Sequence, residues 1–253
     1  MKFRPCIDLH SGVVKQIVGS TLSEDPSSLS VNFVSQKSPA WYASLFRKDN
    51  LLGGHVIMLG PGNAVAAREA LAAWPEGMQI GGGITADNAK DWLDRGASHV
   101  IVTSYVFNDG NVDMQRLRHL VSLVGKEHIV LDLSCRKRGE HYYIVTDRWQ
   151  CFTEVRLQED VLEDLAGYCD QFLVHAADVE GKCAGIEPDI LSLLARCSAL
   201  PITYAGGVAS IADLQMIADL GQGRVDVTVG SALDIFGGQG LTYREVVQFC
   251  AED

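Results

Sequence analysis

Almost unbroken apolar runs of strand length recur along the chain, each followed by a stretch whose apolar residues fall at helical spacing. Residues 3–7 form the first run, and residues 12–18 form a second β-like piece after a glycine. Residues 20–37 are rich in Ser, Asp and Pro and are expected to be a long loop, a length that ordered domains seldom keep unless it is functional. A helix is predicted over 39–49, with Ser38 as its cap, Pro39 at its start, and Trp41, Leu45 and Phe46 on one face. Strands at 55–59, 78–80 and 99–102 then alternate with helices at 64–74, 85–95 and 112–124.

The second half repeats the alternation. Strands are predicted at 129–133, 172–174, 202–204 and 225–229, and helices at 158–168, 188–197, 210–220 and 242–250, with a further short helix at 232–236. An excursion over 136–152 interrupts the pattern after the fifth strand, and 142–145 looks like one arm of a hairpin within it. Eight buried strands, each followed by a helix, are the signature of a closed parallel (β/α)8 barrel, the TIM barrel. An open doubly wound sheet would call for a dinucleotide fingerprint, and no Gly-x-Gly-x-x-Gly follows the first strand.

The two halves also share particular residues at one offset. Asp8 ends the first apolar run and Asp132 the fifth, 124 residues later, and the clusters ending in Gly83 and Gly207 have the same separation. The expectation is a single barrel domain over 1–253, made of half-barrels at roughly 1–125 and 126–253.

Charge narrows the partners. A net charge of -11 argues against nucleic acid or an acidic membrane surface, either of which requires a basic face. The longest apolar runs are far shorter than the roughly 18 residues of a membrane helix, and no signal peptide precedes Phe3. Seven cysteines, an odd number with no Cys-x-x-Cys pair, read as reduced thiols of an intracellular protein. A cytoplasmic location is expected, or a plastid if a transit peptide was removed before residue 1.

A barrel of this kind works at the carboxyl ends of its strands. Asp8 and Asp132 belong to strands one and five, opposite each other in the ring, where two acids can divide acid and base roles if their surroundings separate their pKa values. The plainer alternative is that each caps the loop after its strand. Gly206-Gly207 and Gly230-Ser231 end strands seven and eight, where barrels commonly hold a phosphate through backbone amides. Gly82-Gly83 and Ser104 repeat the arrangement after strands three and four. The pair of sites implies a ligand with a phosphate at each end, its middle between the two aspartates.

The runs Cys6-Ile7-Asp8-Leu9-His10-Ser11-Gly12, Gly81-Gly82-Gly83-Ile84, Val102-Thr103-Ser104, Val130-Leu131-Asp132-Leu133-Ser134, Ala205-Gly206-Gly207-Val208 and Val229-Gly230-Ser231 together resemble one family over essentially the whole chain. It is the histidine-biosynthesis isomerase family acting on phosphoribosylformimino-aminoimidazole-carboxamide ribotide (ProFAR). Val14-Lys15-Gln16-Ile17-Val18-Gly19 and His175-Ala176-Ala177-Asp178-Val179-Glu180-Gly181 look like its eukaryotic-type branch. Common bacterial members carry an arginine near Lys15 and a Thr-Asp start to the loop that here begins at His175.

The resemblance implies an Amadori rearrangement of an aminoaldose to an aminoketose without metal or redox cofactor, with Asp8 as base and Asp132 as acid. Glu180, and after it Asp178, is a rival for the acid. Trp149 resembles the family's loop tryptophan that stacks on the aminoimidazole ring, Lys15 is expected to meet substrate, and His175 either replaces a substrate-contacting threonine or is satisfied by backbone. The implied partner is a small bis-phosphorylated ribosyl substrate, handled by a monomer. The sister imidazole-glycerol-phosphate synthase cyclase, which shares the barrel and both phosphate sites, is the alternative.

Overall fold

The computed structural model describes residues 1–18, 30–197 and 200–251. Eight parallel strands form its centre: β1 (Cys6–His10), β2 (Gly54–Met58), β3 (Met78–Gly81), β4 (Val100–Val102), β5 (Ile129–Asp132), β6 (Gln171–His175), β7 (Ile202–Ala205) and β8 (Val225–Thr228). Each hydrogen-bonds to the next in this order. The ring closes ahead of β1, where Phe3 pairs in parallel with Val227 and the Arg4 amide donates to the Val227 carbonyl at 2.8 Å. The chain is therefore the (β/α)8 barrel that the alternation implied.

Helices α1 (Pro39–Lys48), α2 (Ala64–Ala73), α3 (Ala89–Asp94), α4 (Met114–Val124), α5 (Glu159–Leu165), α6 (Pro188–Arg196), α7 (Ile211–Leu220) and α8 (Tyr243–Ala251) follow the strands in turn. Their starts follow local chemistry. The Ser38 hydroxyl accepts from the Trp41 amide at α1, and Ser210 with Asp213 forms a reciprocal capping box at α7. The main core lies between strands and helices, and includes Ile7, Leu9, Phe46, Leu71, Leu117, Phe172 and Leu214. Inside the barrel a smaller layer of Ile101, Val130, Leu173 and Ala205, with Ile57 against it, forms the floor beneath the mouth.

Several expectations need correction. The first strand is Cys6–His10, so Asp8 sits within it; the strand runs on because Leu9 and His10 pair with Val14 and Val13 of the strand Val13–Ile17. The loop expected over 20–37 falls partly on residues 19–29, outside the described residues, and its described part contains the strand Val31–Val34, paired with Val13–Ile17. The hairpin arm expected at 142–145 is present as the strand His141–Thr146, but the excursion reaches beyond 136–152, as a three-stranded antiparallel sheet with Cys135–Arg138 and Cys151–Arg156. The helix expected at 85–95 is confined to Ala89–Asp94, and that expected at 112–124 starts at Met114, because Asn111–Val112 pairs with Phe107–Asn108. The short helix at 232–236 is a single 3-10 turn, Asp234–Phe236.

Candidate active site

Alternation along the strands decides what faces the mouth. Val130 and Leu173 point into the barrel floor, so two residues further on Asp132 and His175 point into the space above it. Ile101 does the same for Thr103. On β1, Ile7 and Leu9 pack outward into the main core, which turns Asp8 inward.

These side chains border a cavity of about 840 Å³, whose walls include Asp8, Gly82, Gly83, Ser104, Asp132, Trp149, His175 and Glu180. A smaller adjoining pocket shares Asp8, His175 and Glu180 and adds Gly206, Gly207, Gly230 and Ser231. The fold thus gathers the sequence candidates at one mouth, with Lys15 and Asp178 as the exceptions among the described residues. The Lys15 amine lies 3.0 Å from His10 Nδ1, outside both linings among the described residues.

The two aspartates live in different surroundings. Asp132 Oδ1 accepts from the Ser134 amide at 2.9 Å and from Ser134 Oγ at 2.7 Å, with His175 Nδ1 at 3.4 Å, while Thr103 Oγ1 donates to Oδ2 at 3.3 Å. Burial alone would push this carboxyl up. The His175 cation and the Ser134 donors outweigh burial and hold it below the usual carboxylate value. His175 is the reciprocal case: burial favours its neutral form, but Asp132, then Glu180 and Asp8, carry it from 6.5 to about 9.

Asp8 has fewer donors. Gln16 Nε2 donates to its Oδ2 at 3.0 Å. Burial and the nearby Glu180 carboxylate raise Asp8 from 3.8 to about 6, with His175 and Gln16 pulling the other way. Glu180 is itself raised by burial, against the pull of His175 and the Gly181 amide. The mouth therefore opposes an ionised Asp132 bound to an imidazolium with a carboxyl, Asp8, poised near neutrality.

Other candidates are placed by their loops. Ser104 Oγ accepts from the Asp147 amide at 3.0 Å, tying the loop after β4 to the excursion. Asp147, Arg148 and Trp149 have φ of 51°, 58° and 65°, a left-handed run that L residues adopt rarely and at a cost of about 1 kcal/mol each. That turn brings the Trp149 ring to 5.7 Å from the His175 ring, centroid to centroid. Asp178 does not border either cavity among the described residues; it accepts from Arg136 Nε at 2.8 Å and the Lys137 amide at 2.9 Å.

Two glycines are explained by neighbouring backbone. A Cβ at Gly82 would overlap the Met58 carbonyl, and one at Gly207 would overlap the Gly185 carbonyl. The close approach made possible there, of the loop after β3 to the end of β2 and of the loop after β7 to Gly185, fixes the backbone where it borders the two cavities.

Sequence reasoning passed over Gln16, Ser134 and His55, and read Thr103 beside Ser104 at a phosphate site, where the structure shows it donating to Asp132. Gln16 had a readable signal: in Val13–Ile17 it shares the buried face with Val14, and a buried amide on an apolar face needs partners. It finds them in Asp8 and in Ser231 Oγ, which donates to Gln16 Oε1 at 3.3 Å. His55 is 2% exposed in β2, held neutral by burial and by the His175 charge with a pKa near 3, and its ring lies 6.3 Å from that of His175. Among the described residues no group of three or more His, Cys, Asp or Glu side chains is arranged to hold a metal ion, and no helix is long and apolar enough to cross a membrane.

Comparison with known proteins gives consistent relatives. A family model described as histidine biosynthesis protein matches residues 2–238. A chloroplastic protein of Medicago truncatula is 56% identical over 253 residues, covering 98% of this chain and 81% of its own. Relatives from Yarrowia lipolytica and Saccharomyces cerevisiae are 48% and 46% identical, the first covering 98% of this chain and 97% of its own, the second 96% of each. All three are named 1-(5-phosphoribosyl)-5-((5-phosphoribosylamino)methylideneamino)imidazole-4-carboxamide isomerase.

Proposed function

The chain belongs to the histidine biosynthesis protein family, and from that premise we propose that it isomerises ProFAR, the aminoaldose in its relatives' names, to the ribulosyl aminoketose. The observation that carries the mechanism is the pair of unlike acids across the mouth: Asp8 near 6 on β1, and Asp132 depressed and bound to His175 on the opposite wall.

An Amadori rearrangement requires an acid and a base. An acid protonates the ribose ring oxygen, so that the C1′–O bond breaks and the glycosylamine nitrogen forms a Schiff base at C1′. A base then takes the C2′ proton, giving an enol that becomes the ketone. Asp8 is the base: its pKa of about 6 leaves it ionised at neutral pH yet basic enough to accept a proton. The acid is supplied from the Asp132 wall. Gly82, Gly83 and Ser104 on one side, and Gly206, Gly207, Gly230 and Ser231 on the other, hold the two phosphates, whose binding energy fixes the sugar between the acids. Backbone amides suit this task in a chain of net charge -11. Trp149 forms a flat wall for the aminoimidazole, and Lys15, paired with His10, stands outside the reacting region.

We read the chain as one domain of two half-barrels over 1–125 and 126–253, which the common offset of Asp8 with Asp132 and of Gly83 with Gly207 supports. We read the acting unit as a monomer, a reading that the mass of the purified protein in solution checks. The chloroplastic name of the plant relative keeps a plastid location beside the cytoplasmic one.

Feeding ProFAR and its ribulosyl isomer separately to the purified protein, without a glutaminase, tests the function. Consumption of ProFAR to give the ribulosyl isomer is expected. Ammonia-dependent consumption of the ribulosyl isomer to imidazole-glycerol phosphate, with ProFAR untouched, would mark the sister cyclase instead.

A further inference from the structure

Asp132 accepts in every hydrogen bond it makes to the backbone and hydroxyl groups around it. The Ser134 amide can only donate, at 2.9 Å, and Ser134 Oγ and Thr103 Oγ1 add donors at 2.7 and 3.3 Å. A carboxyl so surrounded is a carboxylate, and has no proton of its own to deliver. The nearest proton carrier is the next side chain outward. His175 Nδ1 lies 3.4 Å from Asp132 Oδ1, which leaves Nε2 as the nitrogen turned away from the carboxylate, and the side chain borders both cavities. Its ring is flanked by those of Trp149 at 5.7 Å and His55 at 6.3 Å, centroid to centroid, so its position is set by packing as well as by the ion pair.

We propose that His175 is the general acid of the reaction: its Nε2–H protonates the ribose ring oxygen, and Asp132 acts by orienting and charging the imidazole. An aspartate that fixes one ring nitrogen while the other faces a substrate is a recurrent way to aim an imidazole. The assignment rests on the isomerase reading above, and it places the acid on a residue other than the aspartate at the end of β5.

The protons balance. His175 Nε2–H passes to the ring oxygen as the C1′–O pair leaves with that oxygen, forming the hydroxyl at C4′ and the Schiff base at C1′. Asp8 takes the C2′ proton, and the C–H pair neutralises the Schiff base as an enol. Asp8 then returns its proton to C1′ while the enol O–H proton goes to neutral His175, so both groups end as they began.

The groups facing His175 are Asp132 from β5, Asp8 from β1, Glu180 from the loop after β6 and neutral His55 from β2. The three carboxylates carry the imidazole to about 9, so it is protonated across the neutral range where Asp8 is ionised.

The test compares kcat/KM against pH for the wild type, His175→Gln and Asp132→Asn, with thermal melts of each and 15N NMR of His175 in the unliganded protein. His175→Gln is expected to lower kcat by about 100-fold or more and to abolish the basic limb near 9. Asp132→Asn keeps the imidazole, and its basic limb should move from about 9 toward 6.5. A His175→Gln protein that turns over within about 3-fold of the wild type with its basic limb in place would overturn the assignment. Should that variant melt early, the Asp132→Asn profile decides, because a basic limb that stays in place means that the acid is not His175. A wild type inert towards ProFAR would defeat the isomerase reading alone; an imidazole of His175 that titrates at or below 6.5 would defeat the acid assignment whatever the reaction.

Discussion

Gln16 Nε2 donates to Asp8 Oδ2 at 3.0 Å, while the other end of the same buried carboxamide accepts from Ser231 Oγ at 3.3 Å. One side chain on the strand after β1 thereby joins Asp8 to the loop after β8 that borders the smaller pocket. Its donated hydrogen bond favours the ionised form of Asp8. Gln16→Leu should accordingly push Asp8 above about 6, and the acid limb of the pH–rate profile should move to higher pH with a fall in kcat. An acid limb that stays in place would show that Gln16 does not tune Asp8.

The raised pKa of Asp8 has a cost in stability. The carboxyl goes from 3.8 in the unfolded chain to about 6 in the fold, so between these values the folded state binds the proton more readily and stability falls as pH rises. Above that window the ionised Asp8 costs on the order of 2 kcal/mol, allowing for its position at an open mouth. Asp8→Asn should therefore melt higher than the wild type at pH 8, by roughly 5 °C, with the difference closing below pH 3.8. Equal melting temperatures at both pH values would contradict this.

Asp178 and Glu180 lie two residues apart and are predicted to fail differently. Asp178 fastens the excursion sheet through Arg136 and Lys137, whereas Glu180 borders both cavities. Asp178→Asn should leave the positions of both limbs of the pH profile unchanged. Glu180→Gln removes a carboxylate that raises both Asp8 and His175, so both limbs should move to lower pH. A profile that shifts for Asp178→Asn would return it to the list of acids.

Gly82 has φ of 92° and no space for a Cβ beside the Met58 carbonyl. Gly82→Ala is expected to destabilise by about 2 kcal/mol or more, measured by urea unfolding, and to raise KM through the displaced loop after β3. Wild-type stability in that variant would mean that the loop accommodates a side chain.

What the sequence made readable was what repeats. The eight strands are nearly continuous apolar runs because both faces are covered, and Gly96 and Gly125 punctuate the helices before them. Asp8 and Asp132 stood out because a carboxylate ending such a run is conspicuous, and the glycine pairs because they shared the aspartates' offset. What escaped was set by contacts between distant segments. The three strands of the excursion depend on pairings such as Arg136 with Tyr143 and Thr146 with Cys151, whose alternation is mixed with polar residues on both faces. The different surroundings of the two aspartates arise from Ser134, Thr103 and His175 for one and from Gln16 and Glu180 for the other, and only the closed ring brings these together. Equal sequence contexts therefore concealed unequal chemistry.

The central claim is that Asp8 removes a proton from ProFAR in a barrel whose mouth is already assembled around it. Following ProFAR consumption by wild type and Asp8→Asn, each shown folded by its melt, tests this most directly. The account predicts that the wild type yields the ribulosyl isomer and that Asp8→Asn, folded and at least as stable, loses turnover by a factor of about 100 or more. Turnover by Asp8→Asn at the wild-type rate would contradict it.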